Sequence, residues 1–342
     1  MSGQARVRLG IATLSLLLVG AACSSRGRER VPPSATPPRA TSSIPETPSP
    51  AGPVFHDPID VAFDGSGAMW VGNYRSSTLL RFLPADLEGA SGQSSRQPSI
   101  SLSGFHGPNQ IVFDRSGMLW VASWDDNSIR GYLPSALSTS GAATARVTIR
   151  GSHLAEPTDL VFDASGALWV ANQVTGEVVS YRRDDLMAGG RPRPHVVLRV
   201  FSPGTPEAMA FDLTGELWVS DYNGDVVRAF DPSALTTSGA PKPSRRLELP
   251  DGAGPIGLTV DKRGRLWIAE AGAHAVAVFG TSPKRATDPE FTLTGHALDM
   301  PHSVTFGPGD SVWIPCYNDT VLRYEGEMVE SGGAVEPTVV LG

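Results

Sequence analysis

"DASGALWVAN" (Asp163–Asn172) is spelt, with small changes, six times along the chain. Its copies are "DGSGAMWVGN" (Asp64–Asn73), "DRSGMLWVAS" (Asp114–Ser123), "DLTGELWVSD" (Asp212–Asp221), "DKRGRLWIAE" (Asp261–Glu270) and "GPGDSVWIPC" (Gly307–Cys316). The tryptophans of successive copies are separated by 50, 49, 49, 49 and 46 residues. A period of that length marks a solenoid or a propeller. One full unit, Glu156–Phe201, decides between them. It divides into four short apolar runs, Asp159–Phe162, Leu168–Ala171, Val178–Tyr181 and Val196–Val200, with helical spacing confined to a turn near Asp184–Leu186. Four antiparallel strands, six times over, predict an all-β fold, a six-bladed β-propeller.

Each letter of the word then acquires a mechanical task. Asp163 and Gly166 bracket a tight turn, the Asp as an acceptor for backbone N–H groups and the Gly free to take positive φ. Leu168, Trp169 and Val170 are apolar without alternation, as expected of a strand buried on both faces between neighbouring blades. The six tryptophans are therefore expected as core between blades. A second recurrent word, "LPSALSTSG" (Leu133–Gly141) and "DPSALTTSG" (Asp231–Gly239), reads as a capped half-turn leading to the fourth strand. The last strand, near Pro337–Leu341, either completes blade six from one continuous segment or reaches across to blade one.

The ends differ from the repeats. Arg6 and Arg8 precede an apolar run, Leu9–Val19, too short to span a bilayer and of signal-peptide length. Residues 1–22 are thus expected as a signal peptide. The run ends in "VGAAC", which resembles the lipobox of bacterial lipoproteins and makes Cys23 the expected lipidation site, although Gly20 stands where Leu, Val or Ile is usual. Ordinary secretion with an incidental Cys23 is the other reading. Residues 23–52 are rich in Pro, Ser and Thr, as in an extended tether. The propeller is expected over 53–342. The expected setting is extracytoplasmic, anchored by lipid to a bacterial membrane, or secreted. The chain carries net −7; the leader's two arginines and the tether's excess of two positive charges leave about −11 on the folded part. That balance argues against nucleic acid as a partner and permits cationic ones. Two cysteines, Cys23 and Cys316, leave no disulfide framework and no Cys-based metal site.

The repeat, P-x-x-h-x-F-D-x-x-G-x-L-W-V-A, resembles the NHL, SMP-30/gluconolactonase and virginiamycin B lyase group of propellers over all six copies. The resemblance implies the fold; the shared letters are structural and say little about function. It further implies ligands on the face where strand one begins and strand two ends, around the central channel.

Three sets of positions converge there. Near the repeat's Pro stand Asp60, Asn109, Gln110, Asp159, Glu207 and His302. Strand two ends on Asn73, Ser123, Asn172, Asp221, Glu270 and Cys316, the variable tenth letter and the first place to look for function. Beside these lie Tyr74, Trp124, Gln173, Tyr222, Ala271 and Tyr317. Carboxylates, amides and aromatics meeting at one mouth suit a small-molecule or cation pocket. Six of the seven histidines, all but His195, fall in loops of the same face, where two sharing a pocket would bind a metal or act as a general base. No cofactor is required by this pattern. SMP-30 resemblance implies a divalent cation (Ca, Mg or Zn) held by Glu207, by Asn109 or Asn172, and by Asp221. Lyase resemblance implies a His at the start of strand one paired with a Glu at the end of strand two. That pair is broken here: His302 faces Cys316, and Glu270 faces Gly257. Cys316 is expected as a buried thiol. The leading expectation is a lipid-anchored monomer that binds a protein, peptide or glycan at the mouth. The alternatives are a metal-dependent lactonase or hydrolase, and an adaptor in an envelope complex.

Overall fold

The structure is a computed structural model and describes residues 54–342, apart from 88–91, 95, 152, 202–203 and 281–287. The signal segment, Cys23 and the tether lie outside the described residues. Six antiparallel four-stranded sheets follow one another along the chain as the blades of a ring. Blade three shows the pattern: Pro157–Phe162 innermost, then Leu168–Asn172, Glu177–Tyr181 and Val196–Arg199. Its second strand is buried at every position, as its unalternating sequence predicts.

The Asp of the word works twice. In blade three, Asp163 Oδ1 accepts the N–H groups of Ser165 and Ala167 at 2.8 and 3.0 Å, and Gly166 takes φ 85°. Its other oxygen accepts the indole N–H of Trp169 at 2.9 Å. The same Asp–Trp bond spans 2.9–3.3 Å in blades one to five. Burial pushes the Asp64 carboxyl up, but hydrogen bonds from Ser66, Trp70 and Ala68 outweigh it and hold the group below its usual range. Blade six has Gly307 in the Asp position, and there Ser311 Oγ takes the Trp313 indole N–H at 2.9 Å.

With its polar edge satisfied, each Trp packs across the gap between blades. Trp70, Trp120 and Trp169 meet Phe113, Phe162 and Phe211 of the next blade edge-on, with centroids 6.1–6.4 Å apart. Trp313 meets Phe63 at 5.9 Å, which carries the same contact across the junction of blade six with blade one. Blade five offers Val260 instead of Phe, and Trp218 is covered by the Arg245 guanidinium at 4.4 Å.

The ring closes without strand exchange. Val339–Leu341 pairs antiparallel with blade six's own third strand, so blade six is one continuous segment. A second link runs round the rim. Gly141–Ala142, at the end of the "LPSALSTSG" word, pairs parallel with the outer strand of blade one, Leu102–Ser103. Gly190, Gly239 and Gly333 make the same parallel contact with blades two, three and five. Gly92–Ser94 makes it with Val339–Leu341 of blade six. The segments before the fourth strand, the Pro-Ser-Gly words among them, therefore join five of the blades to the one before, a role beyond the half-turn expected of them.

The opposite rim has its own clasp. The last residue of each turn between strands two and three adopts positive φ: Ser77, Asn127, Gly176, Asp225, His274 and Asp319. In every blade but the third, where Gly176 stands, the side chain accepts a backbone N–H from the next blade's incoming loop. Asn127 takes Glu156 at 2.6 Å, Asp225 takes Gly252 and Gly254 at 2.8 Å, and His274 takes Met300 at 3.2 Å. Asp319 takes Asp57 at 2.7 Å and closes the ring. Asp and Asn tolerate this backbone conformation, and Ala does so at a cost of about 1–2 kcal/mol. Asp319→Ala therefore loses both the conformer and the partner of a half-buried N–H, about 2–3 kcal/mol in a urea melt. Asp319→Asn, which keeps both, should melt within about 0.5 kcal/mol of the native chain.

Candidate functional site

The first residues of the inner strands face the channel because each of these strands is bulged. In blade one Pro58 pairs with Asn73 but Asp60 pairs with Gly72, so Ile59 is an extra residue. The same slip follows Pro108, Pro157, Pro206 and Pro255. A bulge re-aims the side chains beside it, and here two consecutive residues per blade reach the channel wall. The outer tier is Ile59, Asn109, Thr158, Glu207, Ile256 and His302. The inner tier is Asp60, Gln110, Asp159, Ala208, Gly257 and Ser303. Below them the wall turns apolar at Val112, Val161, Phe211 and Val260. The cavity between holds about 280 Å³.

All six residues expected near the repeat's Pro therefore line one cavity. The tenth letters do not. Asn73 Oδ1 accepts the His56 N–H at 3.3 Å, and Asn172 Oδ1 the Ala155 N–H at 3.1 Å. Asp221 Oδ1 accepts Thr205 N–H and hydroxyl, both at 3.1 Å, and Gly224 N–H at 3.2 Å. These three tie down the incoming loop of their own blade. Cys316 is buried against the Ile314 carbonyl, and burial pushes its thiol up to about 12. Of the residues that SMP-30 resemblance would give a metal, Asn109 and Glu207 line the channel, while Asn172 and Asp221 serve these loops. Among the described residues no group of three His, Cys, Asp or Glu is spaced to hold a metal ion.

The histidines also separate. His302 lines the channel. His153 pairs with Glu177 at 3.1 Å, and His274 serves the rim clasp beside Asp299. His56, His106 and His296 are exposed. No second histidine shares the His302 cavity.

The aromatic positions form the rim. Tyr74 and Trp124 meet edge-on at 6.0 Å, and the Tyr74 hydroxyl donates to Asp125 at 3.2 Å. Tyr317 lies 6.2 Å from the His302 ring and under the Arg75 guanidinium, which also pairs with Asp57 at 3.3 Å. Tyr222 packs against the Gly254 backbone. Gln173 donates to Glu207 at 2.8 Å.

The inner acids are in an unusual state. Asp60 Oδ2 accepts the Ile111 N–H of blade two at 3.0 Å. Asp159 accepts its own neighbour Leu160 at 2.7 Å and the Met209 N–H of blade four. These bonds stitch blade one to two and three to four. They do not offset desolvation. Burial, only partly opposed by the Ile111 amide, raises Asp60 to about 8. Burial likewise raises Asp159 to about 7 and Glu207 to about 8, the latter with added repulsion from Asp159 and Glu156. Burial and then the Asp225 charge raise Glu270, outside the channel wall, to about 7. Acids in a cleft that burial pushes toward neutrality make it a candidate functional site.

Solved structures match the fold. A virginiamycin B lyase from Staphylococcus aureus superposes with a TM-score of 0.53 at 14% identity, over 78% of this chain and 80% of that one. A streptogramin B lyase gives 0.55 at 13% identity, over 80% and 81%. The WD40 β-propeller domain of Doa1 gives 0.54 at 12%, over 77% of each chain. No protein family's sequence profile matches the chain, and no curated protein sequence matches it. Two lyases and a WD40 domain are similar to the same degree, so the likeness is one of architecture and chemistry has to be argued from the site.

Proposed function

We propose that this protein is an extracytoplasmic binding propeller, carried on a Cys23 lipid anchor and a Pro/Ser/Thr tether, that takes a protein, peptide or glycan ligand at the polar mouth of its channel. The observation that supports this most is the two-tier wall: bulges in successive inner strands aim carboxyls, amides and His302 into one cavity below an aromatic rim. Buried polar groups in a concave site with aromatic walls are the makings of a ligand pocket. The similarity of the repeat word to that of NHL and SMP-30 propellers supports a ligand at this face. A metal-dependent lactonase at the same mouth would draw on Glu207 and Asn109, and lacks a third ligand of metal spacing among the described residues.

Peptide and glycan arrays probed with the purified protein and with Trp124→Ala and Glu207→Gln test this. Binding that falls at least tenfold in both variants is the expected result. Binding that is unchanged in both would move the site off this face. Stoichiometric zinc, calcium or magnesium in the native protein, lost in Glu207→Gln, would instead favour the hydrolase.

A further inference from the structure

The channel carries more buried acid than its own structure uses. Asp60, Asp159 and Glu207 are 2%, 5% and 9% exposed. Their hydrogen-bond donors are neutral: the Ile111, Leu160 and Met209 amides, the Gln173 side chain and, at Asp60, the Ser303 hydroxyl. Among the described residues no lysine or arginine lines the cavity with them. Buried carboxyls are kept ionised by a cation or they are kept at a cost.

A second, independent feature stands on the blade-six wall. The His302 side chain is 10% exposed and lines the same cavity. Neither of its ring nitrogens has a hydrogen-bond partner. Asp57 Oδ1 lies 3.4 Å from His302 Nε2 and is likewise without a hydrogen bond. So the cavity holds acidic acceptors on blades one, three and four without a counter-charge, and on blade six a buried imidazole whose nitrogens have no hydrogen-bond partner. Nearly all buried polar atoms in a folded protein are satisfied, so the His302 nitrogens point to a ligand.

On the reading that the mouth binds a ligand, we infer that what enters the channel is an organic cation, an ammonium or guanidinium group with several N–H donors, held between Asp60, Asp159, Glu207 and His302. The acids sit on blades one, three and four, and among the described residues no three metal-ligating groups are close enough to share one ion. Spread acceptors suit a guest whose N–H groups are spread as well. The volume, about 280 Å³, equals roughly nine waters at about 30 Å³ each. An alkyl diamine fits that space, and so does the end of a lysine or arginine side chain. Asn109 and Gln110 add carbonyl acceptors, and the apolar wall at Val112 and Val161 takes the methylenes. The acidic balance of the folded part draws such guests to the mouth.

The test is calorimetric titration of the purified protein with 1,4-diaminobutane, with Nα-acetyl-lysinamide, and with 1,4-butanediol as the neutral isostere. Both amines bind and the diol does not, and Asp60→Asn and Glu207→Gln each weaken the amines at least tenfold. The stronger amine identifies the source, a free polyamine or a side chain presented by a peptide. Thermal melts run in parallel confirm that each variant is folded; the amine-against-diol comparison needs no variant. Equal binding of diol and diamine, amine binding unchanged in both variants, or no binding of either amine overturns the inference. If neither amine binds while array ligands still depend on Trp124, the ligand-binding mouth stands and its cationic guest does not.

Discussion

Removal of Pro337–Gly342 should abolish the cooperative unfolding transition of the propeller. The segment is the outer strand of blade six. It supplies Val339 and Leu341, both buried with Trp313, Val321, Phe55 and Phe82 in the core between blades six and one. Burial of two such side chains is worth about 1.5–3 kcal/mol each. The deletion also strips the pairings of Val321, Leu322 and Arg323 with the strand, and the parallel link that Gly92–Ser94 makes on its far side. The total exceeds about 5 kcal/mol, within the range of a whole domain's stability, about 5–15 kcal/mol. Circular dichroism through a urea gradient reads the result. A sigmoidal transition with its midpoint unchanged would mean that the seam is held by the Asp319 clasp and the Trp313–Phe63 contact alone.

The second large effect has the opposite sign. Asp60→Asn should stabilise the protein at neutral pH. The folded carboxyl titrates near 8, raised from 3.8 by burial. Below about pH 4 the folded and unfolded chains both hold this proton, and the group contributes nothing. Between pH 4 and 8 the unfolded state has lost the proton and the folded state keeps it, so native stability falls as pH rises, by about 1.4 kcal/mol per pH unit. At pH 7 the deficit is on the order of 4 kcal/mol. An asparagine has no proton to lose. Its carbonyl can still accept the Ile111 N–H, and the Ser303 hydroxyl beside it can accept from its amide. The variant's advantage in urea should therefore be small at pH 4.5 and grow steadily to pH 7.5. A gap that does not change with pH would show that Asp60 is an ordinary solvated carboxyl.

The fold was legible because its signal is local and sixfold. Asp and Gly of the word set a turn, and the unalternating Leu-Trp-Val run places a strand between two sheets; both follow from side-chain chemistry alone. Blade six was legible despite losing the Asp, since its Trp keeps the spacing and Ser311 replaces the acceptor. The parallel rim links were not legible, because they are backbone pairings whose sole requirement on sequence is a Gly or small residue at the crossing. The rim clasps left a signal that went unread: polar residues tolerant of positive φ recur at positions 77, 127, 225 and 319 in step with the tryptophans.

At the site, the residues near each Pro line the cavity, and Asn73, Asn172 and Asp221 among the tenth letters tie down loops instead. A strand drawn straight from sequence points Asn73, Asn172 and Asp221 toward the mouth. The bulge after each Pro shifts the register by one, turns Asp60 and Asp159 inward, and leaves the tenth letters to satisfy the loop that enters their own blade. Bulges come from pairing across strands, which a single strand's pattern does not carry. The ionisation of Asp60 and Glu207 was hidden for a related reason: it depends on how completely six blades exclude water from one small cavity.

The central claim is that the channel mouth is a built pocket of buried acids, and carboxyl-carbon NMR titration of the native protein tests it most directly. Resonances assigned by the loss of single peaks in Asp60→Asn, Asp159→Asn and Glu207→Gln should titrate with apparent values near 8, 7 and 8. Values near 4 for all three would place these side chains in water and contradict the account.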